Sequence, residues 1–536
     1  MRSLGLFRTI LGNRDIRLAE LAWTAGIAAE TAWLVSLLVY AHDTGGVFAV
    51  GLMSVAHTLP AALAAPVVTS AIDRWPRERV LLAMHLGVML LVALGALAVA
   101  SGLPIGIVVG IATIEGILIT LHRPANSALL PGLARSPDEL VAGNAVTSTL
   151  EGIGVLVGPA VAGVLLVVAS PPAAMIVAVV LFGTAAAAMS GVRPARLPRR
   201  ARSSGLDEAL GGMRALRRTP DAAVLIGLLG SQTFVRGLLT VLIVSAAVGP
   251  LGMGEGGVGF LNAAIGAGGL LGAVATMALV GRRRLASPFS LSLAMWGLPI
   301  AILGVALQPV AALLLLAVVG VANATLDVCG FTLIQRIVPN EVRGRVFGAL
   351  EGLVALTMGL GSIVAPLLVE LAGVPGGLVV TGLILPGVAL LSIGVVKRAD
   401  ARAVLPEQEL ALLRGIPMFA PLPMTSLEAL AGALTSRRLP AGAVLIREGE
   451  VGDQYYVLSD GAAQVTAAGR PIAELHPGDG FGEIALLRDV SRTASVTLTR
   501  DSEVFQLERS DFLAAVTGSD GSVAVADRLV AERLSG

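Results

Sequence analysis

The stretch "GDGFGEIALLRDVSRTASV", residues 478–496, carries Glu483 and Arg492 nine positions apart, with small residues around both. It is the one segment of its neighbourhood that departs from a strand pattern. After Gly482, "EIALL" reads as a single helical turn, whose exposed N–H groups would point at an anion. Arg492 supplies a planar, permanently charged fork suited to phosphate oxygens. Glu483 would repel a phosphate, so it needs a neutral donor, and a sugar hydroxyl fits. A phosphate fused to a ribose satisfies both residues. An internal Glu483–Arg492 salt bridge in an empty barrel is the competing reading.

Around this segment lie short strands rich in Val, Ile, Leu and Tyr: "AVLIREG", "QYYVLSDG", "AQVTAAG", "SVTLTR" and "SEVFQLE". Gly442, Gly449, Gly461, Gly469 and Gly478 punctuate them. Short strands with regular turns predict a small β-barrel or jelly roll. Helices are predicted at about 425–435, 510–516 and 522–534.

The rest of the chain has a different character. Of 536 residues 55% are hydrophobic and 14% charged, with a mean hydropathy of +0.84. Apolar runs fall at roughly 17–40, 46–70, 79–101, 103–122, 145–169, 171–190, 221–248, 257–280, 287–307, 309–335, 345–371 and 376–396. Each is long enough for a helix to cross hydrocarbon. The expected fold is therefore multi-domain: an all-α membrane bundle of about twelve transmembrane helices in two six-helix halves, then a small cytoplasmic β-barrel or jelly roll with flanking helices. The expected boundaries are 1–190, a linker at 191–220, 221–396, a connector at 397–415, and the barrel domain at 416–536.

Loop charge alternates. One set of loops holds Arg14, Arg17, Arg74, Arg77, Arg79, Arg123, Arg135, the arginines of 193–218, Arg282 to Arg284, Arg336, Arg343, Arg345, Lys397 and Arg398. The other set ("AHDTGG", "SGLP", "SPP", "GPLGMGEGG", "QPV", "GVPGG") holds no Lys or Arg. The positive-inside bias puts both termini in the cytoplasm. Lys397 is the sole lysine, and the Arg, Ala and Gly richness suggests a GC-rich bacterial gene and thus a bacterial cytoplasmic (inner) membrane. The N-terminus lacks the pattern of a cleavable signal peptide. One cysteine, Cys329, allows no disulfide framework.

Ionisable residues inside apolar helices need a partner, a water-filled cavity or a proton. Glu30 is the first candidate for a proton-coupling carboxylate, followed by Asp327 and Glu115. Arg236 is a counter-charge or substrate anchor. Static buried salt bridges are the competing reading. Glu151 and Glu351 lie near helix ends and read as structural. His57 and His85 read as satisfied core residues. An aromatic share of 4% offers no evident cage for a cationic cargo.

The two halves echo each other: "NSALLPGLARSPDELVAGNAVTSTLEG" leads to Gly152 and "FTLIQRIVPNEVRGRVFGALEG" to Gly352. Paired six-span halves are a transporter plan. The loop "TSAIDRWPRERV" resembles the G-x-x-x-D-R-x-G-R-R loop of the major facilitator superfamily, with Asp73, Arg74 and Arg77 matching and Thr69, Pro76 and Glu78 departing from it. "GVLVGPAVAG" resembles the fifth-span G-x-x-x-G-P-x-x-G-G element of its drug antiporters through Gly154, Gly158, Pro159 and Gly163, with Ala162 in place of a Gly. "LIQRIVPNEVRGRVFGALEG" is similar to a connection in its drug and siderophore exporters. The resemblance covers roughly 10–396. It implies a gating role for Asp73 and Arg74, and helix packing by the fifth-span motif.

Residues 416–516 resemble the cyclic nucleotide-binding domain of catabolite activator proteins, cyclic-nucleotide kinases and gated channels. Its cassette, F-G-E-[LI]-A-L then P-R-[TA]-A-[ST]-V, stands here as "FGEIAL" and "SRTASV", with Ser491 in place of Pro. That match implies Glu483 on the ribose 2′-hydroxyl, Arg492 on the phosphate, and N–H groups from Gly482, Ile484 and Ala485. Thr493 is a candidate base contact. The implied regulatory ligand is cAMP or cGMP, with no cofactor.

The expectation is thus a secondary transporter, a proton-coupled exporter of small molecules in a lipid bilayer, regulated by cyclic nucleotide. A membrane-tethered sensor without transport is one alternative. Another is a transporter whose barrel docks a protein and binds no nucleotide. No nucleophile–base pairing, Walker-type loop or metal-ligand spacing suggests an enzyme, and no helix-turn-helix suggests nucleic acid.

Overall fold

Backbone in hydrocarbon must satisfy its own hydrogen bonds, so the apolar runs form helices. The computed structural model describes residues 12–72, 75–133, 137–193, 214, 216, 219–276, 279, 284–338, 340–402, 407–422, 424–517 and 520–535. In chain order the helices are α1 (Arg14–Ile72), α2 (Arg77–Ala100), α3 (Ile105–Ile119), α4 (His122–Leu133), α5 (Pro137–Val168), α6 (Pro171–Ser190), α7 (Pro220–Val248), α8 (Gly254–Thr276), α9 (Ala286–Val305), α10 (Pro309–Ile337) and α11 (Asn340–Arg402). Among the described residues, 10 helical stretches are long and apolar enough to cross a membrane, with α3 and α4 counted as one.

The expected twelve spans thus take the form of ten stretches, and the reason lies in α1 and α11. They run 59 and 63 residues, against the roughly 20 that one crossing needs. Each kinks at a glycine: Gly46 has φ 63° and ψ −156°, and Gly373 has φ 67° and ψ 173°. Both glycines lie in short segments without Lys or Arg. Side chains around the bundle are apolar and exposed, up to 84% at Leu391 and 79% at Val305. A surface of that kind is stable against lipid and not against water.

Within the bundle α1 packs on α3 and α6, while α11 packs on α7 and α9, and α8 on α10. The halves meet through small residues. A Cβ on Gly259 of α8 would overlap Gly163 and the Pro159 carbonyl of α5. The Ser54 and Ser362 hydroxyls hydrogen-bond across the halves at 2.9 Å.

Residues 405–536 belong to a second compact unit. Helices α12 (Glu407–Gly415) and α13 (Met424–Ala433) precede β1 (Thr435–Leu439), β2 (Val444–Ile446), β3 (Gln454–Asp460), β4 (Ala463–Ala467), β5 (Arg470–Leu475) and β6 (Gly480–Phe481). After these come α14 (Glu483–Arg488), β7 (Ser495–Leu498), β8 (Ser502–Glu508), α15 (Arg509–Thr517) and α16 (Asp520–Ser535). The strands make two four-stranded sheets, ordered β1-β8-β3-β6 and β2-β7-β4-β5, with antiparallel pairing throughout.

Successive strand residues point to opposite faces, and β3 uses both. Tyr455 and Val457 enter a core with Phe419, Leu507 and Phe512. Tyr456 and Leu458 enter the core between the sheets with Phe481, Val496 and Leu498. The connector placed at 397–415 divides: 397–402 continue α11, while α12 sends Leu410 and Leu413 into the core with Phe419. Most of the linker expected at 191–220 falls outside the described residues.

Candidate functional site

The cassette is built where β6 turns into α14. Gly482 takes φ 94°, a left-handed conformation that a side chain would strain. This turn places Glu483 first in α14 and fully buried. The opening N–H groups of α14, including those of Ile484 and Ala485, have no side-chain cap and no partner within the helix. Arg492, in the loop before β7, is also buried. Its Nη1 donates to the Gly482 carbonyl at 2.8 Å and its Nη2 to the Gln454 carbonyl at 2.6 Å.

No Glu483–Arg492 bridge forms among the described residues. The Glu483 Oε1 instead accepts from Arg533 Nη1 at 2.9 Å, and the same nitrogen donates to the Gly480 carbonyl at 3.1 Å. Glu483 Oε2 is buried with no hydrogen-bond partner in the structure. Burial pulls the Arg492 guanidinium below its ordinary value, opposed by Tyr456, Asp453 and Glu483; arginine remains cationic nonetheless. Burial, then the Glu483 charge, holds the Tyr455 phenol well above its usual range. Tyr455 Oη occupies the space that a Cβ on Gly480 would need. Thr493 is exposed beside Arg492.

In the bundle, Asp73 and Arg74 lie outside the described residues. Arg77 is half-buried at the start of α2. The fifth-span motif packs α5 on two neighbours: a Cβ on Gly154 would come 2.9 Å from Ile27, and one on Gly158 would overlap Thr31 and the Ala28 carbonyl. Gly163 faces Gly256 and Gly259 of α8, and Pro159 lies inside α5 between them.

The ionisable residues group by half. Glu115 is fully buried; its Oε2 accepts from Trp33 Nε1 at 3.1 Å and lies 3.0 Å from His57 Nε2. Glu30 Oε2 lies 4.0 Å from His122 Nδ1. The His122 ring lies tilted by 56° against Trp23, 4.5 Å between centroids, and His85 meets it edge-on at 5.1 Å. His57 has a partner in the Glu115 carboxylate, whereas both His85 nitrogens are buried without a hydrogen-bond partner, so the reading as a satisfied core residue is corrected for His85.

Asp327 Oδ2 accepts from Asn323 Nδ2 at 2.9 Å. The Asn323 Oδ1 in turn accepts from Trp296 at 3.0 Å and Gln232 at 3.3 Å. Arg236 interacts electrostatically with Asp327 and, across the halves, with Arg123. Arg123 is ion-paired to Glu151 at 2.6 Å and also feels Glu30 and Glu351. His122, Trp33, Trp23 and Asn323 were not singled out in the sequence. Asn323 stands one helical turn before Asp327 on α10, a spacing the sequence shows, whereas Trp23, Trp33 and His122 meet their partners only through the packing of α1, α3 and α4.

The bundle is multi-pass and helical, its two halves in contact, and the chain continues into a double-sheet domain that holds a buried Glu–Arg cassette. The chain belongs to the Major Facilitator Superfamily, whose family model matches residues 21–355. The family model of the cyclic nucleotide-binding domain matches residues 436–518.

Among similar proteins is a cAMP-dependent protein kinase regulatory subunit of Yarrowia lipolytica, 39% identical over 102 residues, which are 19% of this chain and 27% of that one. A cyclic nucleotide-gated potassium channel of Rhizobium etli is 37% identical over 101 residues, 19% of this chain and 28% of that one. The chain thus spans about a quarter of the length of these curated relatives. Among solved structures, a co-crystal structure of the regulatory domain of Toxoplasma gondii PKA with cAMP matches at 31% identity and a TM-score of 0.21, covering 23% of this chain and 47% of that one.

Proposed function

We propose that the chain is a proton-coupled exporter of small molecules, regulated by cAMP or cGMP bound to its C-terminal domain. In this reading the bundle makes twelve crossings, six per half, with α1 and α11 each crossing twice around Gly46 and Gly373. It lies in a bacterial cytoplasmic membrane with both termini in the cytoplasm, where the C-terminal domain meets nucleotide. The domain works as a sensor and not as an enzyme.

The observation that carries the sensor is the pairing of a buried, unpartnered carboxylate oxygen with a buried guanidinium in one cassette. Glu483 Oε2 has no partner, and a ribose 2′-hydroxyl supplies the donor it lacks. Arg492 holds two backbone carbonyls and keeps further N–H donors for a phosphate. The N–H groups opening α14, at Gly482, Ile484 and Ala485, complete an anion site, and Thr493 borders it. In the bundle, Glu30, Glu115, Arg236 and Asp327 are the residues of the transport path. Asp73, Arg74 and Arg77 act at the gate, and Gly154, Gly158, Pro159 and Gly163 set the packing on which the halves rock.

Residues 405–536 have hydrophobic cores of their own, so calorimetry on that fragment with cAMP and cGMP tests the sensor. Saturable binding of either nucleotide is expected, with affinity at least about tenfold weaker in Arg492→Ala, the loss of one charge-assisted hydrogen bond. No heat with either nucleotide, from a folded fragment, rejects the sensor and leaves a protein-docking barrel.

A further inference from the structure

Two helices of the second half are joined by more than packing. The first N–H groups of a helix find no partner within it. At the start of α9 the Leu285 and Ala286 N–H groups both donate to Asp400 Oδ2, each at 3.0 Å. Asp400 stands in the last turn of α11, 114 positions from Ala286. A carboxylate is held there by the N–H groups and by the helix dipole together. Asp400 is 8% exposed, and its Oδ1 is buried with no hydrogen-bond partner. Leu285, Ala286, Val396 and Ala399 around it are buried as well.

The same two helices touch along their length. A Cβ on Gly304 of α9 would lie 2.7 Å from the Pro375 carbonyl of α11. Cβ atoms on Gly297 and on Gly382 would overlap, respectively, the Gly382 carbonyl and the Ala301 backbone. Close contacts thus run from Pro375 to Asp400. They begin just after Gly373, where α11 kinks with φ 67°, a conformation that a side chain would strain. The arm before the kink packs on α7 instead, where a Cβ on Gly361 would overlap the Phe234 carbonyl. At its other end α11 runs to Arg402, and residues 403–406 lead to α12. Leu410 and Leu413 of α12 lie in the core of the C-terminal domain.

We propose that α9 and the second arm of α11 form one lever, hinged at Gly373 and clasped by Asp400, through which nucleotide in the C-terminal domain acts on the bundle. The lever rests on the sensor reading above. Its clasp is built to yield. Closed, it satisfies two N–H groups but keeps Oδ1 away from water, which costs free energy. Open, both carboxylate oxygens and both N–H groups are hydrated. The two states exchange hydrogen bonds nearly one for one, so the net difference between them is small against the bonds themselves. A modest displacement of the end of α11 then selects the state. The C-terminal domain supplies that displacement through α12, which is packed into its core and moves with it. Nucleotide shifts the clasp by the difference in its affinity for the two arrangements.

The backbone amides report the clasp directly. Hydrogen exchange of the full chain in nanodiscs, read by mass spectrometry on peptides spanning 285–290, should show Leu285 and Ala286 protected, where an uncapped helix start exchanges freely. D400A should speed their exchange at least about tenfold, the loss of a hydrogen bond to a charged group. D400N still offers a carbonyl oxygen and should keep most of the protection. Saturating cAMP or cGMP should change exchange at 285–286 about fivefold or more, the lower end of ordinary coupling, and should do so in neither D400A nor R492A. Gly-Ser-Gly-Ser inserted after Val404 slackens the link to α12. That variant should keep 285–286 protected and make them indifferent to nucleotide. If D400A does not elute as a folded species, the insertion decides.

Exchange at 285–286 as fast in the unaltered chain as in D400A overturns the clasp. Nucleotide that binds without changing exchange there overturns the lever and keeps the sensor. A nucleotide response that survives the insertion also overturns the lever, because the signal then travels by another route. No binding of either nucleotide by the full chain or by 405–536 overturns the sensor reading, and the lever with it.

Discussion

At the scale of single residues, Glu483 and Arg492 show which contacts a sequence exposes. Both stand in a short local pattern whose spacing is set by one turn of helix, so their chemistry is readable without the fold. Their partners are not. Arg533 reaches Glu483 from 50 positions away, from an amphipathic helix whose arginines look alike. The Arg492 donors go to main-chain carbonyls, which no side-chain pattern reveals. This geometry makes a specific prediction. Arg533→Ala strips a buried carboxylate of its cationic partner. Breaking a fully buried pair costs about 3–5 kcal/mol, but Arg533 is 38% exposed, and solvent screening reduces that to about 1–2 kcal/mol. The melting temperature of 405–536 should therefore fall by several degrees, as followed by circular dichroism. An unchanged melting temperature means that the pair adds nothing. Glu483→Gln keeps the shape but weakens the ribose acceptor, and nucleotide affinity by calorimetry should drop about tenfold, one charge-assisted hydrogen bond. Equal affinity would take Glu483 out of the site.

Among the elements, hydropathy and loop charge located the helices well, because a bilayer crossing imposes one length and one composition. They count two segments at Gly45–Gly46 and at Gly373, because polar, Gly and Pro residues interrupt the apolar run there, while the helical backbone continues through a kink. The strands divided by exposure. β3 and β8 are apolar, buried and legible. β1 ("TSRRL") and β5 are almost wholly exposed, so they carry no alternation of apolar and polar residues and were not foreseen. The glycines where α5 meets α1 and α8 form the most testable contact. Gly158→Ala and Gly259→Ala force a methyl into backbone of a neighbouring helix, an overpacking that costs about 1–3 kcal/mol. Each should lower the thermal stability of the purified bundle in a fluorescence size-exclusion assay. Gly110→Ala, whose Cβ meets nothing within 4 Å, is the control and should leave stability unchanged. Equal stability across the three would mean that α5 is not held by close packing.

For the whole molecule the question is whether the sensor and the bundle share an equilibrium. A ligand shifts a conformational balance only by its difference in affinity for the two states. If nucleotide favours one arrangement of the bundle, the bundle must alter nucleotide affinity by the same factor, because linkage of binding free energies is reciprocal. A comparison of binding constants therefore tests the coupling without knowledge of the cargo. The full chain in nanodiscs and the fragment 405–536 should bind cAMP with different dissociation constants, by a factor of about five or more if the coupling lies in the usual range. Identical constants for chain and fragment would show two modules that share a polypeptide and no free energy.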